Sequence, residues 1–207
     1  SFKNLYSNII VDKFFVFYQK HKNIFSAFLK SKYYEIGSFK NNFINLKNQK
    51  KVYNQINYVS EYRGGSHLKT HIETEKYIVK LIDNYCKKMK FKFLISLNSN
   101  RKDKYINKKN EINFFNKISK KYIYNDESSY QNSLNSIVTF SMSSNIGVEL
   151  WSRKIPLIYF DILHLKDKKF KNPYNTSSSI FFINKIMNLN EFTNYMKKFL
   201  DISKTKD

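Results

Sequence analysis

From about residue 55 onward, short apolar runs alternate with longer stretches whose apolar residues recur at helical spacing. That alternation restricts the fold more than any other feature of the chain. Residues 57–62, 91–97, 122–124, 137–140, 155–160 and 180–183 read as strands. Between them, Ile72, Ile78, Val79, Ile82, Tyr85, Cys86 and Met89 mark one face of a long helix. Shorter helices are expected at 111–118, 129–134 and 146–153. A final amphipathic helix uses Phe192, Tyr195, Met196 and Phe199, with Asn190 as its cap. Thr70 to Glu73 and Ser128 to Gln131 both have capping-box spacing. Strands alternating with helices predict βαβ units, and so an α/β fold with a doubly wound parallel sheet. The near-continuous apolar runs at 137–140 and 155–160 fit its central strands.

Residues 1–50 read differently. Strands are expected at 14–18 and 33–36 around a helix near 20–31, followed by Gly37-Ser38-Phe39-Lys40-Asn41-Asn42. This is too little to fold alone, and it reads as the tail of a preceding α/β domain and a linker. Residues 51–207 read as one doubly wound, Rossmann-like domain, a division that suits 207 residues.

Charge narrows the function. Lys and Arg number 37 against 16 Asp and Glu, a formal net charge of +21. Only Arg63, Arg101 and Arg153 are arginines, while Asn occurs 26 times and Ala27 is the sole alanine. This is the bias of an AT-rich coding sequence. Residues 1–60 carry 10 basic and 2 acidic groups, residues 61–150 carry 16 and 9, and residues 151–207 carry 11 and 5. A surplus spread this evenly predicts weak, salt-sensitive contact with nucleic acid and no specific nucleic-acid partner. It is compatible with an anionic ligand or a peripheral contact with an anionic membrane face. An aromatic content of 17% excludes a disordered basic tail. No apolar run approaches the roughly 18 residues of a membrane span. The lone Cys86 fits a reducing, cytoplasmic compartment.

Ligands of doubly wound sheets bind beyond the carboxyl ends of the strands, and two such loops carry suggestive chemistry. Ser141-Met142-Ser143-Ser144-Asn145-Ile146-Gly147-Val148-Glu149 runs from a buried strand into a helix. Its backbone N–H groups and serine hydroxyls suit an anion, and Glu149 suits a ribose diol. Gly147 admits either a ligand or a neighbouring strand. Against this stands the ordinary use of serines as helix caps. The second loop, Glu61-Tyr62-Arg63-Gly64-Gly65-Ser66-His67, sets an arginine beside two glycines, as a phosphate contact needs. The same residues also describe a surface turn. His67, His71 and Glu75 have helical spacing but lack the HExxH pattern of a zinc helix, so no metal is expected. No G-x-S-x-G nucleophile elbow occurs.

The run from Ser128 to Phe160 (SSYQNSLNSIVTFSMSSNIGVELWSRKIPLIYF) resembles the C-terminal, donor-binding domain of GT-B-class glycosyltransferases. The likeness is to bacterial transferases of surface carbohydrate in the neighbourhood of capsule Kdo and sialic-acid transferases. It rests on Ser129-Tyr130, Ile137-Val138, Ser143-Ser144, Gly147, Glu149, Arg153 and Pro156, with Ile36 to Asn42 as the interdomain junction. The resemblance implies a donor phosphate held by Arg63, Ser143, Ser144 and Asn145. It implies ribose and base contacts from Glu149, Asp126, Ser128 and Ser129. It further implies a nucleotide-sugar donor, CMP-, UDP- or GDP-linked, and a glycan or lipid-linked glycan acceptor. No further cofactor is implied, and no residue of this chain is assigned as catalytic base. A catalytically silent nucleotide-binding or interaction module remains an open alternative, with a basic nucleic-acid-binding protein behind it.

Overall fold

The computed structural model describes residues 9–16, 19–26, 29–36, 52–64, 69–100, 107–142, 144, 146–152, 155–166 and 181–204. The chain divides into two compact units, Ser1–Asn48 and Gln49–Asp207. In the smaller, strand β1 (Ile9–Val16) pairs in parallel with β2 (Leu29–Glu35), and helix α1 (Gln19–Phe25) lies between them in sequence. Phe14 anchors this unit, with its ring 5.0 Å from Phe25 and 5.8 Å from Tyr33. The helix expected near 20–31 ends six residues early, and 29–32 join a strand. Leu29-Lys30-Ser31-Lys32 has no strong local preference, so pairing with β1 decides its state.

In the larger unit, β3 (Val52–Val59) is followed by helix α2 (Lys69–Met89) and β4 (Lys92–Ser96). A 3-10 turn (Asn98–Asn100), helix α3 (Lys108–Asn116) and β5 (Tyr122–Ile123) come next. Then follow α4 (Ser129–Leu134), β6 (Ser136–Ser141), α5 (Ile146–Ser152) and β7 (Leu157–Phe160). The short α6 (Leu163–Lys166), β8 (Phe182–Ile183) and the long α7 (Leu189–Lys204) complete it. The six strands form one sheet in the order β5-β4-β3-β6-β7-β8, and every described pairing is parallel. Counted within the unit, this is 3-2-1-4-5-6, the order of dinucleotide-binding sheets. The unit is thus an α/β domain with a parallel sheet compatible with a Rossmann-like fold.

Both faces of the sheet are covered. Ile56, Tyr58, Val138, Phe140, Ile158 and Phe160 share one core with Ile78 and Ile82 of α2 and Phe192 and Met196 of α7. Val59, Leu157 and Tyr159 share the other with Ile146 and Leu150 of α5. Leu157/Tyr159 and Ile158/Phe160 alternate between the faces, as pleated strands require. Among the described residues no helix is long and apolar enough to cross a membrane.

Four boundaries differ from expectation for physical reasons. Strand β3 begins at Val52, five residues before the expected start, and its polar residues are satisfied internally. Gln55 donates to Ser136 Oγ (3.1 Å) and Asn57 to Ser133 Oγ (3.2 Å). It also ends before Glu61, whose N–H leaves the ladder for a carboxylate (2.9 Å). Helix α7 is capped by Asn188, not Asn190. Asn188 Oδ1 accepts from the N–H groups of Asn190 and Glu191, and Glu191 Oε2 accepts from Asn188 N–H. Thr70 lies inside α2 and does not cap it, and Glu73 pairs with Lys76 at 3.0 Å. At Ser128 the expected cap forms, its hydroxyl accepting from Gln131 N–H at 3.2 Å.

Candidate functional site

The strand order reverses direction between β3 and β6, which places the switch-point crevice beyond Val59 and Ser141. Glu61 bridges it. Its Oε1 accepts from Met142 N–H (3.1 Å) and from Ser141 Oγ (3.3 Å), so the β3 loop and the β6 loop are tied across the crevice. Ser141 Oγ also accepts from Ser144 N–H at 3.1 Å, curling the β6 loop over the strand end.

Two further carboxyl groups support this edge from below. Glu75 of α2 is fully buried, and its Oε1 accepts from Glu61 N–H (2.9 Å) and Tyr58 Oη (3.1 Å). Its Oε2 has no hydrogen-bond partner among the described residues. Burial, with a smaller push from the Glu61 charge, raises its pKa from 4.5 to about 8 despite those two bonds. Glu111 of α3 is also fully buried and accepts three bonds, from Ser60 Oγ (2.5 Å), Asn98 N–H (2.8 Å) and Ser99 N–H (2.9 Å). It thereby closes the loop after β4 onto the end of β3.

A chain of buried amides and hydroxyls crosses the sheet from β3 toward the loop after β5. Ser96 Oγ donates to Asn57 Oδ1 (2.8 Å), Asn132 Nδ2 donates to Ser96 Oγ (2.9 Å), and Asn125 and Asn132 exchange bonds of 2.9 and 3.0 Å. The 124–128 loop is held by this chain, at the far side of β4 from the crevice.

The candidate residues fall out as follows. Arg63 is exposed at the end of the β3 loop. Its charge, after burial, helps lower the pKa of His71 on the first turn of α2, while Glu61 acts in the opposite sense. Gly64 beside it has φ +66°, a left-handed conformation that favours glycine. Ser144 is half-buried, and its carbonyl accepts from Tyr159 Oη (2.5 Å) and Gly147 N–H (3.1 Å). Glu149 is half-buried in the seven-residue α5. Ser143, Asn145 and Arg153 lie outside the described residues, as do His67 and Gly37 to Asn42. Asp126 is exposed and paired with Lys108, Ser128 is spent on its cap, and the Ser129 carbonyl accepts from Ser133 Oγ at 2.6 Å. Gly147 accommodates a neighbouring strand: a Cβ there would lie 2.0 Å from Tyr159 Oη. Glu75 turns into the core beside Tyr58, and no metal-ligating group of three occurs among the described residues.

The switch-point loops are therefore brought together, and a carboxylate that composition did not flag joins them. No family model matches the chain, and no curated protein does either. Glu75 and Glu111 carried a legible signal. Glu75 stands three residues from both Ile72 and Ile78, and Glu111 four before Phe115, so each interrupts an apolar stripe. A charged residue on such a stripe is buried only with partners. Chemically, the edge offers an exposed guanidinium, a half-buried carboxylate and a curled serine loop around a crevice whose geometry three buried carboxyl groups hold.

Proposed function

We propose that residues 51–207 bind the nucleotide-sugar donor of a glycosyltransferase that builds cell-surface polysaccharide, the acceptor being a glycan or lipid-linked glycan. The observation that carries this reading is the convergence of the Arg63 loop and the Ser141–Glu149 loop at the switch point of a 3-2-1-4-5-6 parallel sheet. Arg63 supplies fixed positive charge for a phosphate, and charge stabilisation of a leaving nucleotide is the main electrostatic demand of such a transfer. Ser143, Ser144 and Asn145 are the proposed phosphate contacts, Glu149 the ribose contact. Asp126, Ser128 and Ser129 carry less of the proposal, since an ion pair and a helix cap already engage the first two. Residues 1–50 would belong to the acceptor-side domain, and the reaction would run at the cytoplasmic face of the membrane.

Calorimetric titration with CMP-, UDP- and GDP-sugars tests the reading. One donor class should bind, and Arg63→Ala and Glu149→Ala should each weaken it by about 1.5–3 kcal/mol with unchanged thermal melts. Binding without transfer to any glycan acceptor would favour the silent-module alternative. Unchanged affinity in both variants would move the nucleotide elsewhere.

A further inference from the structure

At the opposite edge of the sheet, the last turn of α2, the amino end of β4 and the approach to β5 surround a groove of about 350 Å³. Its floor is apolar, from Cys86, Phe91 and Phe93, and its rim carries Lys87, Lys90, Lys92 and Lys121. The register that pairs Phe93 with Tyr122 sets Lys92 beside Lys121. The one acid of the groove is Asp83, which is buried and held by Lys87 at 2.5 Å. Lys90, Lys92 and Lys121 have no carboxylate partner among the described residues and are exposed.

The surplus extends beyond the rim. Segments 87–92 and 117–121 together contain seven lysines and no acid. The even spread of charge along the sequence hides this, because two segments some thirty residues apart meet only through the β4–β5 pairing. Ile123, 44% exposed, lines the same groove, and Met89, 45% exposed, lies between Lys88 and Lys90 at the end of α2. Lys90 adds a second anomaly. It occupies the left-handed position (φ 60°) after α2, where Phe91 N–H bonds back to Cys86 O at 2.9 Å. Glycine is the usual occupant of that site, so a lysine is kept there against local conformational preference.

We propose that this amino-edge patch docks on an anionic phospholipid surface. Lipid phosphates meet the lysine rim, and Met89 and Ile123 enter the boundary between headgroups and acyl chains. Lysine stems lie along apolar surface while their ammonium groups reach phosphate. Single-stranded nucleic acid is gripped by exposed aromatic faces that stack on bases, and arginine gives bidentate phosphate and base contacts. Here Phe93 is buried, Phe91 is half-buried and stacked on Tyr85, and no arginine is present in either segment, which favours the lipid surface. Lysines also keep an edge strand such as β5 from pairing with other chains, but that role calls for neither the groove nor the exposed Met89 and Ile123. The proposal is independent of nucleotide binding, which involves the other edge.

Sedimentation of the whole chain with phosphatidylcholine vesicles, with and without about 30% phosphatidylserine, tests it. Binding should require phosphatidylserine and should fall by roughly a hundredfold in Lys90→Gln/Lys92→Gln/Lys121→Gln, from the loss of three lysine contacts. Lys90→Gly should also bind less tightly while folding at least as well. Thermal melts on each variant separate lost docking from lost fold, and a variant that unfolds is replaced by the corresponding single substitutions. Equal binding to both vesicle types, or a triple variant that binds like the original, overturns the proposal. So does lysine-dependent, sub-micromolar binding to a single-stranded homopolymer with none to vesicles, which would assign the patch to nucleic acid.

Discussion

At the carboxyl edge of the six-stranded sheet, Glu61, Glu75 and Glu111 turn inward and accept hydrogen bonds from loop N–H and hydroxyl groups. At the amino edge, Lys90, Lys92 and Lys121 stand exposed around an apolar groove. Both edges carry ionisable side chains and use them in opposite ways. A buried carboxylate is retained only where it satisfies donors that would otherwise be stranded, so it shapes the backbone. An exposed ammonium contributes little to folding and remains available to a partner. The difference teaches where to seek stability and where to seek recognition in this molecule.

The comparison breaks most sharply at Glu111. Replacing it with Ala strands two backbone donors and the Ser60 hydroxyl, and should lower stability by about 3–5 kcal/mol in urea unfolding. If the loss were below about 1 kcal/mol, the inward carboxylates would not be structural. Glu75 should show its role through pH. Its folded pKa of about 8 exceeds the ordinary 4.5, so the stability tied to its neutral form is full below about pH 4.5 and is lost as pH rises through about 8. Glu75→Gln should flatten that fall, gaining on the original chain by about 2–4 kcal/mol at pH 9. Parallel pH–stability curves for the two chains would contradict a neutral Glu75.

Smaller effects sharpen the contrast. Gly147→Ala forces a methyl against the Tyr159 ring and should cost about 1–3 kcal/mol. Most of that cost should be recovered beside Tyr159→Leu in a double-mutant cycle, and full additivity would show that α5 and β7 are not in contact. At the amino edge, Lys90→Gly should raise stability by about 1 kcal/mol by relieving a left-handed lysine. Lys92→Gln and Lys121→Gln should change it by no more than about 0.5 kcal/mol, as for other exposed charges. Chemical denaturation of these variants, read beside vesicle binding, tells whether the edge is free of structural duty.

The fold was legible where a local pattern matched its environment. The apolar runs at 137–140 and 155–160 became central strands, and the Ser128 cap formed where its spacing placed it. The polar start of β3 was not legible, because Asn54 and Gln55 look like loop until Ser136 arrives from 81 residues away to satisfy Gln55. In sequence Glu61 is only a neighbour of Arg63; its bridge to Ser141 and Met142 depends on a parallel pairing across the switch point.

Periodicity, capping spacings and alternation by themselves determined the order of elements and the α/β class, because each depends on residues within a few positions of one another. They also determined which loops follow strand ends. Only the tertiary structure decided which carboxylates are buried, that Gly147 answers to Tyr159, and that dispersed lysines gather at one edge. Those outcomes depend on which strands become neighbours, and neighbours in a parallel sheet are separated by whole crossovers of sequence. Desolvation and charge density act over ångströms in space, so they take their values only after the chain has closed those distances.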